Sequence, residues 1–483
     1  MKHNSALLTD LYQLTMAQGY WETGKLHEQG CFHMTFRENP FHGGYAIACG
    51  MDQLCELVED FRFGKEDIAY LSTLTAPAGG KLFKPEFLEY LSTMECQLDI
   101  HAVREGSLVF ANEPLVRVTG PILQCQIIET PLLNAVNFQT LVATKAARIC
   151  NVAKAPVAEF GLRRAQGPAG GLYASRAAVV GGCASTSNVL AGSLFGVPVS
   201  GTHAHSWVMS FDSELEAFRQ YAKSMPNNCI LLIDTYDVEQ GLENAITVGL
   251  EMKERGQRLL GVRIDSGDLA WLAKWARKRL DEVGLTDTGI CLSNDLDEYL
   301  VNSILNQGAK VNSWGIGTKM AVSYDQPTLG GVYKLSAVKP EGESEWKDCI
   351  KISEQSIKLT TPGVLDVRRY YQEDGLLAGD MVFDIQTGVG EKEQIIDPAD
   401  RMRRKILAGK RFETLLHPLA EKGKVCLEPE YRDAMAARER TFAGLKTLDE
   451  SQTRLTNPHS YPVGLEQGLF KRRENMVDEL RGL

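Results

Sequence analysis

An α/β fold, with a parallel sheet closed into a barrel and a separate β-rich α+β domain beside it, is what this sequence predicts. Three observations lead there. The first is length: 483 residues are too many for one hydrophobic core, so two or three packed units are expected. The second is a run of short apolar segments at 157–160, 197–201, 230–234, 260–264, 290–293 and 311–316, separated by stretches of helical periodicity. At least six consecutive strand–helix units imply a parallel sheet, and their number and regularity favour a closed barrel over an open doubly wound sheet. The third is that the flanks lack this rhythm and carry short strands with local pairing.

In chain order, residues 1–125 read as the first part of the β-rich domain. They open with a helix that places Leu7, Leu8, Leu11 and Leu14 on one face. A strand follows in which Phe32, Met34 and Phe36 alternate with His33, Thr35 and Arg37, and residues 98–118 carry further strands broken at Glu105-Gly106 and Asn112-Glu113-Pro114. Residues 126–331 form the barrel, entered through a helix containing Asn134, Leu141 and Ala147. Its helices are expected at 212–224, 238–255, 268–283 and 296–307. Residues 332–483 return to irregular strands at 332–338, 349–353, 366–371 and 381–385, then a helical tail over 431–444. They are read as completing the first domain, which is then discontinuous.

Apolar residues make up 44% and charged residues 24% of the chain, and the formal net charge is −10. That balance argues against a protein that coats nucleic acid or an anionic membrane, both of which need a basic face. Asp10 and Gln13 interrupt what would be the core of a signal peptide, and no apolar run is long enough to span a bilayer. Eleven cysteines without a CxxC pair indicate neither a zinc knuckle nor a disulfide framework, and they fit a reducing, cytoplasmic setting.

Unusual polar residues gather just after the barrel strands. They are Arg163-Arg164, Thr202-His203-Ala204-His205-Ser206, Thr235-Tyr236-Asp237, Asp265 to Asp268, Asn294-Asp295 and Gly315-Ile316-Gly317-Thr318-Lys319. Loops at the carboxyl ends of barrel strands form the active-site rim, so six clusters there point to chemistry more than to packing. Each has a plainer alternative. Asp265 and Asp268 fit a helix cap and a first-turn acid. The GxGT run fits a tight turn as well as a phosphate cradle. His203 and His205 point the same way on an extended segment but lack the further ligands of a zinc site, and either fits a satisfied core histidine. The arginine pair fits a solvated surface as well as a bound anion.

Seven segments in order, LLTDLYQLTMAQGYW, FRENPFHGGYAIACG, EFGLRRAQG, GTHAHSWVMSF, DTYDVEQG, GVRIDSGDL and GIGTKM, strongly resemble the nicotinate phosphoribosyltransferase family. Lys351-Ile352-Ser353 and the stretch from Lys358 to Gly363 extend the likeness over most of the chain. The resemblance implies an irregular α/β barrel beside a sandwich domain, usually as a homodimer with shared active sites. The implied reaction joins nicotinate to phosphoribosyl pyrophosphate (PRPP) with consumption of ATP, the first step of NAD salvage from nicotinate, and is classed as a ligase. It further implies that His205 is phosphorylated by ATP and that Asp265 serves the ribose hydroxyls. Tyr12 (from a partner chain), Phe160, Arg163, Thr202 and Arg263 would contact nicotinate. Gly317 and Thr318 would hold the ribose 5-phosphate, with Ser206, Arg37 and Lys358, and also Lys351, as candidates for PRPP phosphates. Asp265 and Asp268 would hold Mg²⁺. The related nicotinamide enzymes have an Asp where His203 stands, so the acid is favoured over the amide as substrate. A nicotinamide phosphoribosyltransferase and a catalytically silent nucleotide-binding barrel remain the alternatives. An aldolase-like reading would rest on Lys319 alone.

Overall fold

The computed structural model describes residues 6–352 and 359–482. They fall into two compact units, one comprising Met1–Leu141 with Thr328–Leu483 and the other Val142–Pro327.

The first unit is a sandwich of two sheets, and both ends of the chain build it. In the seven-stranded sheet, Gln29–Thr35 lies between Val332–Lys339 and Val116–Pro121, antiparallel to each. A six-stranded sheet centred on Leu377–Asp384 and Leu365–Tyr371 forms the second layer. Phe32, Met34, Phe36, Ile100, Val116, Val118, Val367, Val382 and Leu465 share one buried cluster that draws on both sheets. The polar–apolar alternation at residues 32–37 does not separate core from solvent. His33 is buried as fully as its neighbours, because the second sheet covers that face.

His33 is the strut between the layers. The Leu365 backbone N–H donates to its Nε2 at 3.0 Å, and Nδ1 lies 2.9 Å from the Ser336 hydroxyl. That hydroxyl in turn donates to the Cys31 carbonyl at 3.1 Å. The chain of donors is satisfied only when the ring is neutral and carries its proton on Nδ1. Burial, helped by the positive charge of Arg117, pushes this imidazole down to about 3.

The N-terminal helix departs from expectation. It spans Leu11–Glu22, so Leu7 and Leu8 precede it, and Leu8 and Leu11 are exposed. Asp10 is the reason: it is extended at the N-cap position and its carboxylate accepts from the Thr130 hydroxyl at 2.6 Å. The buried face is Gln13, Leu14 and Ala17 instead.

In the second unit six parallel strands run in the order Ser185–Thr186, Val157–Glu159, Ser313–Ile316, Gly289–Asn294, Gly261–Ile264 and Ile230–Leu232. The strand that comes first of the expected series, Val157–Glu159, pairs with the last, Ser313–Ile316. That first-to-last pairing is the strand order of an irregular α/β barrel, with Ser185–Thr186 and Ile230–Leu232 as the two end strands of the sheet. Residues 197–201 supply only the bridge Thr186↔Val199, since Pro198 has no N–H to offer a ladder. The Ser185–Thr186 strand, too short and polar to read in the sequence, pairs there instead. Helices Glu214–Ser224, Val238–Glu254, Leu269–Glu282 and Glu298–Asn306 follow in turn. Their N-caps are Ser213, Asp237, Asp268 and Asp297, each accepting from backbone N–H groups of the first turn. No described helix is long and apolar enough to cross a membrane.

The His33 strut predicts acid lability of the sandwich. Below about pH 6.5 an unfolded chain protonates this imidazole, whereas the folded ring resists until about pH 3. Its contribution to stability is therefore complete above the first value and lost on descending to the second. His33→Gln keeps one acceptor and one donor but does not titrate. Its denaturation midpoint should fall less steeply with pH than that of the wild type, and parallel curves would refute the strut.

Candidate active site

The carboxyl ends of the barrel strands surround a cavity of about 140 Å³. Phe160, Arg163, Arg263, Asp265, Gly317 and Thr318, all singled out in the sequence, line it, together with Arg164, Ser293, Asn294, Asp295 and Gly315. A larger cavity of about 930 Å³ lies within the first unit, among Phe110, Arg403, Lys405 and Tyr461, and holds none of these residues. The smaller one is the candidate site, because the polar side chains in it are fixed by one another.

Arg263 is the centre of that arrangement. Its Nε donates to Ser293 Oγ at 2.7 Å, Nη1 to Thr202 Oγ1 at 3.0 Å and Nη2 to Asp265 Oδ1 at 3.1 Å. A guanidinium has five N–H donors, so two remain for a bound anion. The guanidinium carbon sits 5.6 Å from the centre of the Phe160 ring. An aromatic face and a planar cation at this spacing suit a flat ring bearing a carboxylate.

Phe160 owes its position to missing side chains. A Cβ on Gly315 would come within 2.6 Å of Phe160 Cε2, and one on Gly317 within 2.8 Å of the Phe160 carbonyl oxygen. The ring is thus laid against the end of the last strand, and Phe160 N–H bonds Ile316 O at 2.8 Å. Beneath it Glu159 is fully buried, accepting from the Gly161 N–H and from the hydroxyls of Ser175 and Thr186 at 3.0 and 2.6 Å. Those three donors fix the turn after the first strand.

Asp265 and Asp268 part company. Asp268 Oδ1 caps its helix through Trp271 N–H at 3.0 Å, so the plainer reading holds for it. Asp265 faces the site, binding Arg263 and Ser293 through Oδ1. Its Oδ2 lies 4.0 Å from His205 Nε2, while His205 Nδ1 is 3.2 Å from Thr235 Oγ1. The half-exposed His205 is thereby oriented through Nδ1, with Nε2 turned toward Asp265 and still open to solvent. Among the described residues no group of three His, Cys, Asp or Glu could enclose a metal ion. The donor set instead fits a Mg²⁺ held by Asp265 and a ligand's phosphates, the usual way this ion binds.

His203 and His205 face different ways. His203 is buried, its ring centre 4.7 Å from that of Tyr221, with Nε2 accepting from Leu232 N–H at 3.2 Å. Burial pushes its imidazole down, which keeps it neutral. The shared orientation expected of an extended segment fails because a helix, His205–Met209, begins between them. Ser206 is exposed on that helix and is not among the residues lining the cavity.

Tyr12, Arg37 and Lys351 belong to the other unit, and Lys358 lies outside the described residues. Tyr12 is 47% exposed, with its hydroxyl accepting from Gln13 Nε2 at 3.2 Å. Arg37 lines a separate cavity of about 430 Å³ in the sandwich.

Three site residues carried no assigned role in the sequence. Ser293 ties Arg263 to Asp265, and Thr235 orients His205. Asp234 accepts from the Asp265 N–H at 2.9 Å and the Ser266 hydroxyl at 2.6 Å, leaving Oδ1 buried without a hydrogen bond among the described residues. Their positions at the ends of strands were the available signal.

Family models match most of the chain. The nicotinate phosphoribosyltransferase (NAPRTase) family model matches residues 156–416, its N-terminal domain residues 7–137 and its C-terminal domain residues 366–473. The chain belongs to the nicotinate phosphoribosyltransferase family. The nicotinate phosphoribosyltransferase of Bacillus subtilis (strain 168) is 40% identical over 484 residues, covering 99% of this chain and 96% of its own. That of Homo sapiens is 35% identical, covering 96% and 95%. The crystal structure of human nicotinic acid phosphoribosyltransferase superimposes with a TM-score of 0.83 at 33% identity, over 97% of this chain and 99% of that one. A nicotinate-nucleotide pyrophosphorylase from Pyrococcus furiosus, at TM-score 0.67 and 21% identity, shares the fold. As in its relatives, nicotinate phosphoribosyltransferase sequence covers the barrel and both flanks of this chain.

Gly315→Ala should push the Phe160 ring off the strand end. A crystal structure should show the shift, and affinity for a planar aromatic acid should fall by up to about tenfold, the worth of one aromatic contact. An unmoved ring with unchanged affinity would show that Gly315 does not set the site.

Proposed function

We propose that this chain transfers the phosphoribosyl group of PRPP to nicotinate and couples the transfer to hydrolysis of ATP. The carrying observation is Arg263, fixed by Thr202, Ser293 and Asp265 with two N–H groups to spare beside the Phe160 ring. Nicotinate lies on Phe160 with its carboxylate on Arg263, and Arg163 and Thr202 complete its surroundings. Tyr12 of a second copy covers the other face in a homodimer. Residues 1–125 and 332–483 are taken as the sandwich and residues 126–331 as the barrel, each limit lying near a break between compact units, after Leu141 and before Thr328.

Nucleophilic attack comes from the pyridine nitrogen on C1 of the ribose. The C1–N bond forms as the bond from C1 to the diphosphate oxygen breaks, and the diphosphate leaves with the electron pair. Asp265 holds the ribose hydroxyls, Gly317 and Thr318 receive the 5-phosphate, and Ser206 is a further candidate contact to the PRPP phosphates. Arg37 and Lys358 serve the PRPP phosphates. Holding both reactants in line lowers the barrier without a covalent sugar intermediate. Asp265 would hold Mg²⁺, which would supply charge neutralisation at the diphosphate, while Asp268 is spent on its helix cap.

ATP acts through His205. A ring nitrogen attacks the γ-phosphorus, the N–P bond forms, and the bond to ADP breaks; water later releases phosphate. The added negative charge changes the affinity of the rim for substrates relative to products. Nicotinate is preferred to nicotinamide because no carboxylate stands at residue 203 to accept from an amide or repel the acid. The setting is cytoplasmic.

The direct test is mononucleotide formation from PRPP with nicotinate or nicotinamide, each with and without ATP. Product from the acid alone, with ADP released in step, is expected; product from the amide would overturn the specificity argument. No product from either would favour a silent barrel. His205→Ala should keep slow, ATP-independent transfer. Arg263→Ala should raise KM for nicotinate roughly 10- to 100-fold, the loss of a charged hydrogen bond. Full ATP stimulation in the His205 variant would remove the phosphohistidine.

A further inference from the structure

Beneath the rim of the barrel a carboxylate is buried where packing alone asks for none. Glu159 ends the strand Val157–Glu159 and is fully buried. Its Oε1 accepts from the Gly161 N–H, and Oε2 from the Ser175 hydroxyl at 3.0 Å and the Thr186 hydroxyl at 2.6 Å. Among the described residues these donors are all neutral. Burying a carboxylate is costly, and a turn can be held by backbone bonds without one.

Asn188 aims the two hydroxyls. Its backbone N–H donates to Thr186 Oγ1 at 3.0 Å and its Nδ2 to Ser175 Oγ at 3.1 Å, so each oxygen already accepts and its proton can point at Glu159. Three donors converge on one residue, and only an acceptor-only side chain meets all of them. The bond to Gly161 reaches furthest. Gly161 follows Phe160, and its carbonyl accepts from the Arg164 and Ala165 N–H groups at 2.8 and 3.1 Å. Those bonds close the short helix Leu162–Arg164 that carries Arg163. A Cβ at Gly161 would come within 2.8 Å of both Glu159 Oε1 and Gly317 O, so the backbone there is pressed between the carboxylate and the last strand's loop. One buried side chain thus fixes the peptide between the aromatic ring and the arginine turn.

We propose that Glu159 is a positioning residue for the transfer reaction: without touching a substrate, it holds the Phe160 ring and the Arg163 turn in place for nicotinate. The inference rests on the proposed function for its ligand. Glutamine is the informative replacement, being of the same size but with one oxygen in place of two. Its NH₂ must face either the Gly161 N–H, which cannot turn round, or the hydroxyls, in which case the Thr186 proton loses this acceptor. Either way a bond of the set is broken and the turn is released.

The test combines steady-state kinetics, thermal midpoints and crystal structures of full-length variants. Glu159→Gln should raise KM for nicotinate about tenfold, the worth of one aromatic contact, with kcat changed less and the Phe160 ring displaced. Ile304→Val trims the core in the last turn of the helix Glu298–Asn306, outside this set of bonds, and supplies the reference for stability alone. It should lower the midpoint and leave KM as in wild type. An unchanged KM in a folded Glu159→Gln would overturn the proposal, whatever its midpoint. A KM that rises equally in the Ile304 variant would show that KM only follows stability, and would overturn it as well. Should Glu159→Gln not fold, Thr186→Val removes one donor to the carboxylate and Thr186→Ser keeps it. KM should then rise in the valine variant and not in the serine one, and equal values in both would overturn the proposal. Failure of the two readings is separable. A displaced Phe160 in a chain that turns over no nicotinate rejects the enzyme reading alone. An unmoved Phe160 with a normal KM in an active Glu159→Gln rejects the positioning alone.

Discussion

The Arg263 guanidinium is held from three directions, and the rest of the rim is arranged around that fact. A flexible arginine would lose much of its side-chain entropy on binding an anion. Here Ser293, Thr202 and Asp265 have already imposed the geometry. Each comes from a different strand end or loop, so the charge is positioned by the barrel as a whole. Phe160 then stands beside it because Gly315 and Gly317 let the ring approach the last strand. A ring and a planar cation fixed at this spacing recognise shape and charge together, which a surface arginine cannot do.

The acidic residues at the strand ends divide into two trades. Asp237, Asp268 and Asp297 cap the helices that follow, each spending oxygen lone pairs on backbone N–H groups. Asp265, Asp234 and Glu159 sit before the caps, and their bonds run to the loops and to each other's backbone. Asp297 also receives Lys319 at 2.5 Å, so the lysine after Gly317-Thr318 anchors a helix cap and leaves no Schiff-base role to propose. The same residue type thus does scaffold work at one position and site work three residues earlier, with the turn geometry deciding between them.

That division explains what the sequence could and could not reveal. The alternation of strands and helices was legible because the 3.6-residue period of the helices is strong and the strands between them are almost wholly apolar. The clustering of polar residues after the strands was legible for the same reason. Which aspartate caps and which faces the site was not, since both fit DSGD. His203 and His205 were equally ambiguous, because a helix start at His205 turns one ring into the core and the other toward Asp265. The Ser185–Thr186 strand has no apolar signal, and Pro198 disguised a bridge as a strand. In the sandwich, the pairing of Gln29–Thr35 with Val332–Lys339 joins residues some three hundred positions apart, which no local pattern can specify.

Asp234 shows why a site of this kind is costly and why the barrel can bear it. One carboxylate oxygen takes the Asp265 N–H and the Ser266 hydroxyl, while the other is buried with no hydrogen-bond partner among the described residues. A buried unsatisfied acceptor costs on the order of 1–3 kcal/mol, comparable to the loss from a single damaging mutation. Moving Asp234 into a better bond would release the Asp265 backbone, and with it the carboxylate that orients Arg263 and faces His205. The strain is therefore tied to the same network that fixes the guanidinium. Stability given up at the rim is offset by the apolar strands beneath, where Leu231, Val262, Ile264, Leu292 and Trp314 are buried, and the rim is left free to meet its ligand's polar groups.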